Sequence, residues 1–287
     1  MILLNSRVPA LRYLLLATLA LSGLATAPLA QAGTLLIDFG PNDTANGVIS
    51  PVAGTVLTPN NGSTGVADSN GNYWNNAIAT TAGINFTPTS LTNLVNIANE
   101  LTNIGVTFSS GWKSNGIQNG GLLTPTTALL GNLGIKNATQ DYFFVENGNG
   151  TNGTASFTLN NLNPGFLYNI DIFGTRNTAS VRNTLYSITD AFGAHSFTLQ
   201  TSGAGSGFNG ALGNDDTVAG FTGLAPDALG NLTVNVSFVN SAGNTFGYLG
   251  AAQITEVVPE PGVTVMLATG LLGLLTVRRR RSAPLNA

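Results

Sequence analysis

The clearest pattern in the chain is the alternation of apolar and polar residues over short segments. Residues 231–240 place four apolar side chains on one face of an extended segment and polar side chains on the other. The apolar positions are Leu232, Val234, Val236 and Phe238. A period of two predicts a strand with one buried face and one solvated face. Residues 168–172 alternate in the same way and predict a second such strand.

Further candidate strands occur along the chain, and clusters of Gly, Asn and Pro separate them. These strands are expected at 34–39, 104–108, 142–145, 155–159, 184–188, 196–200 and 248–257. The separating clusters, at 147–150, 163–165, 191–193 and 242–244, have the composition of turns. Many strands without an intervening helical rhythm predict an all-β fold, an antiparallel β-sandwich or jelly roll.

One stretch, residues 91–104, is compatible with two structures. Its apolar residues recur at helical spacing, and Ser90 could cap a helix that begins there. The same residues could instead form two short strands around Asn99 and Glu100. The spacing slightly favours a single helix or helical turn. The Asn- and Gly-rich residues 59–72 are expected to form an exposed loop within the domain.

The last thirty residues have a different organisation. Residues 257–262 read Val-Val-Pro-Glu-Pro-Gly, an uncharged run of fifteen residues follows at 263–277, and four arginines come next. Such a run spans roughly 23 Å as a helix, whereas a bilayer core is about 30 Å thick. Arg278, Arg279, Arg280 and Arg281 could reach the head groups and keep their end of a membrane helix cytoplasmic.

The Pro259-Glu260-Pro261 motif, the apolar run and the arginine cluster, in this order at the C-terminus, resemble the PEP-CTERM protein-sorting signal. The resemblance covers residues 257–287. It implies export in an exopolysaccharide-producing bacterium, a precursor anchored in the inner membrane by the C-terminal helix, and processing by an exosortase. The mature protein would then reside at the cell surface or outside the cell.

The N-terminus agrees with export. Arg7 and Arg12 form a basic region, residues 13–24 an apolar region, and Ala30-Gln31-Ala32 a small-residue cleavage site. Residues 1–32 are therefore expected to be a signal peptide. A β-sandwich domain at 33–256 and the sorting signal at 257–287 complete the predicted organisation.

Charge and composition exclude some functions for the exported segment. Residues 33–258 contain four basic and twelve acidic residues, a net charge of −8. Because nucleic-acid binding requires clustered Lys and Arg, nucleic acid is not an expected partner. The chain has no cysteine, which excludes thiol catalysis and disulfide bonds.

The exported segment also resembles galactose-binding-like β-sandwich domains of surface proteins and carbohydrate-active enzymes. Five short segments carry the resemblance, at 37–40, 73–76, 172–176, 186–200 and 248–251. It implies a sandwich fold. Any function drawn from the resemblance is an analogy only.

Candidate catalytic and metal-binding groups are few. His195 is the only histidine, and neither a Gly-x-Ser-x-Gly nor a Gly-Asp-Ser motif is present to form a triad with it. Its ring is expected to bond locally on a half-exposed strand. The carboxylates that could hydrolyse glycosides are Asp171, Asp190, Asp215 and Asp216, but nothing in the sequence pairs them at a catalytic distance. No catalytic residue and no cofactor are therefore expected.

Residues 214–216, Asn-Asp-Asp, offer hard oxygen ligands that could hold Ca²⁺. Ordinary turn hydrogen bonding is the favoured reading of this loop.

Aromatic residues offer the remaining indication of a binding site. Tyr73, Trp74 and Trp112 lie beside Gly, Asn or Ser and could stack on sugar rings. The alternative, slightly favoured because large aromatics are mostly buried, is that both tryptophans fill the core. The expected function is that of a non-enzymatic surface or matrix protein that could bind extracellular polysaccharide. The alternative function is that of a divergent secreted glycan hydrolase or esterase.

Overall fold

The computed structural model describes residues 33–41, 67–79, 85–115, 120–148, 151–239 and 245–257. These residues form fourteen strands and two one-turn α-helices. The strands are β1 (Thr34–Pro41), β2 (Asn75–Ala79), β3 (Gly105–Phe108), β4 (Lys113–Asn115), β5 (Tyr142–Gly148), β6 (Thr151–Asn152), β7 (Thr154–Asn160), β8 (Leu167–Phe173), β9 (Arg182–Asp190), β10 (Gly193–Ser202), β11 (Ala219–Leu224), β12 (Leu232–Val239), β13 (Phe246–Leu249) and β14 (Ala251–Val257). The helices are α1 (Thr127–Leu130) and α2 (Lys136–Thr139), and two 3₁₀ turns lie at Gly131–Leu133 and Phe208–Gly210.

Two five-stranded sheets form the sandwich. The first sheet has the strand order β11-β8-β14-β1-β2, and the second has the order β10-β9-β12-β7-β3. Neighbouring strands are antiparallel except for β1 and β2, which are parallel. The predicted β-sandwich is therefore confirmed, although one strand pair departs from the expected antiparallel arrangement.

The core fills the space between these sheets. Residues on one face of each strand are buried, as at Ile170 and Ile172 of β8 and at Val234 and Val236 of β12. Phe39 of β1 lies 5.3 Å, between ring centroids, from Phe157 of β7. Burial of such side chains contributes roughly 1.5–3 kcal/mol each to folding. The alternation in the sequence thus defines the two inner faces.

A third sheet, of order β13-β5-β4 with β6 paired to β5, lies against this core. Alternate residues of β5 point in opposite directions, so Phe143 and Val145 join the main core while Tyr142 and Phe144 form a separate aromatic cluster. A Cβ at Gly247 of β13 would lie 2.8 Å from the backbone oxygen of Ser237. The glycine therefore permits the close approach of β13 to β12.

The segment that contains the two helices covers part of the outer face of the first sheet. Leu130 and Leu133 are buried there against Leu36, Phe173 and Ala251 of the sheet. This helical cover was not predicted, because each helix is only four residues long and gives no sustained period.

The slight preference for a helix at residues 91–104 is wrong. Asn93 and Asn99 have positive φ angles of 54° and 65°, which interrupt an α-helix. Leu91 bridges to Val106, and Val95 bridges to Leu101 in antiparallel fashion. The segment is therefore extended around a turn near Asn99, closer to the alternative of two short strands.

The predicted strand at 248–257 is in fact two strands that belong to different sheets. β13 ends at Leu249 and β14 begins at Ala251. Gly250 donates a backbone hydrogen bond to Phe173 and accepts one from Phe39, both of 2.9 Å. It therefore marks the point at which the chain passes from one sheet to the other.

Several sequence predictions lie outside the described residues. They are the signal peptide at 1–32, the Pro259-Glu260-Pro261 motif, the apolar run at 263–277 and the arginines at 278–281. In the part of the chain that the structure describes, no helix has the length and apolar character needed to cross a membrane.

Candidate functional site

A cavity of about 370 Å³ opens on the outer face of the first sheet. It lies between this sheet and the segment formed by α1 and the 3₁₀ turn at Gly131–Leu133. The lining residues are Leu129, Leu130, Gly131, Asn132, Leu133, Asp171, Val218 and Gln253. Its volume is at the lower end of the range of roughly 300–1,000 Å³ typical of small-molecule sites.

Strand register produces the floor of the cavity. Asp171 of β8 is the direct partner of Gln253 on β14, so both side chains project from the same outer face. On the other side Asp171 is paired with Gly220 of β11. A Cβ at Gly220 would be 3.2 Å from Asp171 Oδ1, so a larger residue would crowd this carboxylate.

Leucines and an asparagine of the helical segment form the opposite wall. Leu130 and Leu133 anchor the segment in the protein interior, whereas Leu129 is 40% exposed at the cavity. A Cβ at Gly134 would lie 2.7 Å from the backbone oxygen of Thr126. The glycine that follows the 3₁₀ turn therefore lets the wall fold back on itself.

A chain of amide groups connects the wall to the floor. Asn72 Nδ2 donates to Asn132 Oδ1 at 3.3 Å, and Asn132 Nδ2 donates to Gln253 Oε1 at 2.9 Å. Gln253 Nε2 in turn lies 3.4 Å from Asp171 Oδ2. The amides thereby acquire fixed orientations, each with donor or acceptor capacity left for a ligand hydroxyl group.

Asp171 provides the negative charge of the cavity. Partial burial raises its pKa above the ordinary value for aspartate. Its Oδ2 is the acceptor at the end of the amide chain. A carboxylate beside oriented amides and exposed leucine is suited to a neutral, hydroxyl-rich ligand that also has apolar C–H surface.

Trp74, predicted as a sugar contact, supports this wall from inside. Its side chain is fully buried and packs in the cluster that contains Leu130 and Leu133. The indole Nε1 donates a 2.8 Å hydrogen bond to Asp68 Oδ2. Tyr73 is half-buried and donates a backbone hydrogen bond of 3.2 Å to Ile97.

Trp112 lies in the main core, where its ring centroid is 5.8 Å from that of Phe143. Like Trp74 it is 0% exposed. Neither indole offers a face on which a sugar could stack, so this geometry favours the core-filling alternative over the sugar-contact reading.

His195 lies on β10, half-exposed, and its Nε2 is 3.0 Å from Asp190 Oδ1. Although burial raises the pKa of Asp190, hydrogen bonds from Ala225, His195 and Phe192 outweigh it and lower that pKa. Because Asp190 also accepts backbone hydrogen bonds from the β9–β10 turn, the pair has the local bonding that was expected for His195.

No other acidic residue in the part of the chain that the structure describes lines the cavity. Asp38 and Asp141 influence one another electrostatically, but they are only 3% and 2% exposed. Asp215 Oδ1 accepts a hydrogen bond from Phe208 N, and Asp216 Oδ1 accepts one from Thr217 Oγ1. The described cavity therefore has one carboxylate and lacks the pair that glycoside hydrolysis requires.

Asn214, the first residue of the suggested calcium loop, is fully buried. Its Nδ2 donates to the backbone oxygens of Gly174 and Thr217, at 3.0 and 2.7 Å. The described residues contain no group of three or more His, Cys, Asp or Glu side chains positioned to hold a metal ion. Asn214 Oδ1 accepts backbone hydrogen bonds from Asp216 and Thr217, at 3.5 and 3.0 Å, which is the bonding of an Asx turn.

The sequence patterns contained a signal for part of the cavity. The alternation at 168–172 places Asn169 and Asp171 on the polar face of their strand, and Gln253 occupies a polar position in the last strand. Nothing local indicated Asn132 or Leu129, because their place at the cavity depends on the packing of the helical segment.

No protein-family model matches the chain, and no curated protein matches it. Among solved structures, the chain is similar to TmCBM61, determined in complex with beta-1,4-galactotriose, with 12% identity, a TM-score of 0.26, and coverage of 52% of this chain and 86% of that one. It is also similar to the Clostridium thermocellum endo-1,4-beta-D-xylanase 10B CBM22-1-GH10 modules complexed with xylohexaose. That match has 14% identity, a TM-score of 0.27, and coverage of 52% and 26%.

A third similar structure is a Paenibacillus xanthan lyase, with 16% identity and a TM-score of 0.27. The match covers 57% of this chain and 14% of the lyase. The chain thus spans about a quarter of the xylanase structure and a seventh of the lyase. TM-scores this low do not establish a shared fold.

Proposed function

We propose that this protein is an exported, non-enzymatic glycan-binding protein of the cell surface or extracellular matrix. The cavity on the outer face of the first sheet is the observation that carries the binding part of the proposal. Asp171, Gln253 and Asn132 supply a carboxylate and two oriented amides to it, and Leu129 supplies apolar surface. Sugars present hydroxyl groups beside apolar C–H faces, which is the chemistry that this lining complements.

The proposed location rests on the sequence patterns at the two ends of the chain. A signal peptide at 1–32 would direct export, and the sorting signal at 257–287 would hold the precursor in the inner membrane until an exosortase processes it. The small number of charged residues and the absence of cysteine in the exported segment are compatible with a protein that functions in a polysaccharide matrix.

The test of glycan binding uses the full-length chain in detergent on a glycan array, followed by calorimetry with the best neutral oligosaccharide. Leu129→Asp should abolish binding because it places a charge on the apolar wall. Asp171→Asn should weaken binding because the amide replaces one carboxylate acceptor with a donor.

Leu229→Asp is the matched control, since Leu229 is 82% exposed and does not line the cavity. Unchanged affinity in both cavity variants would overturn the assignment of the site. Turnover of the bound glycan by the wild-type protein would overturn the non-enzymatic part of the proposal.

A further inference from the structure

The face of the third sheet that points away from the main core carries a buried aromatic cluster, separate from the cavity. Lys113 of β4, Phe144 of β5 and Tyr248 of β13 form one cross-strand row. Tyr142 and Phe246 flank this row, and Tyr142 meets Tyr248 edge to face with ring centroids 5.1 Å apart. These five residues, together with Arg176 and Arg182, are called the arginine–aromatic face.

Arg176 and Arg182 lie over these rings. The guanidinium carbon of Arg182 is 4.3 Å from the ring centroid of Phe246, and that of Arg176 is 6.0 Å from the centroid of Tyr142. Arg176 donates to the hydroxyl of Tyr142, and Arg182 donates to the hydroxyl of Tyr248. Both guanidinium groups are thereby held in place by hydrogen bonds and by ring contacts.

One residue of β10 positions the backbones of both arginines. The backbone N of Arg176 donates to the carbonyl oxygen of Thr201 at 2.9 Å. Thr201 Oγ1 donates to the carbonyl oxygen of Arg182 at 3.2 Å. The two cations therefore approach the aromatic surface from adjoining points of the fold.

The tyrosines beneath the arginines remain neutral. Burial is the largest influence and raises the pKa of Tyr142 and of Tyr248, while the arginines oppose this effect. The two tyrosines that the arginines bond have ring centroids 5.1 Å apart, which places the two positive charges close to one another.

The described residues balance the charge of Lys113 at this face but not the charges of the two arginines. Glu146, the cross-strand partner of Phe246, forms an ion pair with Lys113 at 3.0 Å. Among the described residues, no carboxylate forms an ion pair with Arg176 or Arg182, and the buried Nε of Arg176 has no hydrogen-bond partner. Three of the four basic residues of a segment with a net charge of −8 thus meet at one aromatic surface.

We propose that Arg176 and Arg182, which are half-buried and rest on the buried aromatic cluster, bind the carboxylate of an acidic sugar residue. A planar guanidinium matches the two oxygens of a carboxylate, and an incoming anion would supply the charge that the face lacks. The sugar part of this inference rests on the proposed glycan-binding function. The carboxylate part rests on the unbalanced arginine pair alone.

The test follows the side-chain Hε–Nε signals of arginine in the ¹⁵N-arginine-labelled full-length chain in detergent. Arg176→Lys and Arg182→Lys assign the two signals, because each variant loses one. The titrants are sodium galacturonate, galactose as the same sugar without the carboxylate, and sodium acetate as the carboxylate without the sugar. Lys136→Gln, at an exposed position of α2, is the control for loss of a positive charge away from this face.

Galacturonate should shift both signals, galactose should shift neither, and acetate should bind more weakly than galacturonate. Each Arg→Lys variant should lose about tenfold or more of the galacturonate affinity, because the forked contact is lost. Lys136→Gln should retain it. A melting curve on each variant checks that it is folded, and the wild-type titration decides the question if a variant is not.

Equal shifts with galactose and galacturonate, no shift with galacturonate, or full affinity in both Arg→Lys variants would overturn the proposal. Acetate that binds as tightly as galacturonate would overturn the sugar part. If Leu129→Asp abolished the response of the arginine signals to galacturonate, galacturonate would bind at the cavity. The arginine site would then be refuted, and the glycan-binding function proposed for the cavity would stand. If the arginine signals responded while no neutral glycan bound, the arginine site would stand and the cavity assignment would fail.

Discussion

The indole Nε1 of Trp74 donates a 2.8 Å hydrogen bond to Asp68 Oδ2. The other oxygen of Asp68 accepts backbone hydrogen bonds from Asn70 and Asn72, and Asn72 begins the amide chain that reaches the cavity. A buried tryptophan therefore holds the turn from which the polar side of the site is built. This role differs from that of Trp112, whose buried Nε1 has no hydrogen-bond partner among the described residues.

This difference predicts unequal costs for the same substitution. Trp74→Phe removes a hydrogen bond to the Asp68 carboxylate. Trp112→Phe removes a buried N–H group that has no hydrogen-bond partner among the described residues. Trp74→Phe should therefore lower the free energy of unfolding by about 1–2 kcal/mol more than Trp112→Phe does. Urea denaturation of both variants measures the difference, and equal losses would contradict the structural role given to Asp68.

Burial of Asp141 predicts a pH-dependent stability. Burial, and next the negative charge of Asp38, raise the pKa of Asp141 well above its ordinary value. The folded protein therefore retains this proton at a pH at which the unfolded chain has released it. Its stabilising contribution is full below the unfolded pKa and is lost as the pH rises through the folded pKa.

Asp141→Asn should consequently raise the melting temperature at pH 8 and reduce the difference between pH 5 and pH 8. The asparagine has the same shape, which matters because a Cβ at Gly40 would overlap the Asp141 carboxyl group. Thermal melts of wild type and variant across this pH range provide the measurement. A lower melting temperature of the variant at pH 8 would show that the ionised carboxylate is stabilising.

Two adjacent residues of β12 should differ greatly in their response to substitution by aspartate. Val236 is fully buried in the core, whereas Asn235 faces solvent. Val236→Asp should lower the free energy of unfolding by more than about 3 kcal/mol because it buries an unpaired charge. Asn235→Asp should change it by only about 0.5 kcal/mol. Chemical denaturation separates the two, and similar midpoints would contradict the assigned register.

The four C-terminal arginines predict the behaviour of the precursor in the cell. Replacement of Arg278 to Arg281 by glutamine removes the charge that would keep the C-terminal end cytoplasmic. The variant should show weaker membrane retention and altered processing, as measured by cell fractionation and immunoblotting. A variant with Lys at all four positions is the control and should behave as wild type. Unchanged localisation of the glutamine variant would refute the sorting role.

Sequence alternation predicted those strands that have one buried and one solvated face. β7, β8, β9 and β12 each follow this pattern in the structure. β4 has only three residues, and β11 contains Gly220 and Gly223, so neither gave a period that could be recognised. The helical period at 91–104 misled because the asparagines at 93 and 99 adopt positive φ, which apolar spacing does not reveal.

The cavity could not have been predicted from local patterns. Gln253 is separated by 82 positions from Asp171 and by 121 positions from Asn132. Strand register joins the first two residues, and packing of two helical turns too short to give a sequence signal adds the third. The tryptophans were conspicuous because they are rare, yet Trp74 supports the wall of the cavity from the interior and Trp112 fills the main core.

The central position of β14 has a mechanical consequence. This strand is hydrogen-bonded on both edges, to β1 and to β8, and Val257 is its last residue. Traction applied through the residues that follow would pull β14 along its own length. Its interstrand bonds would then be loaded together in shear, and none would open singly as in peeling. Force applied at this end would thus reach the strand that carries Gln253, whose partner on β8 is Asp171 and which with it forms the floor of the cavity.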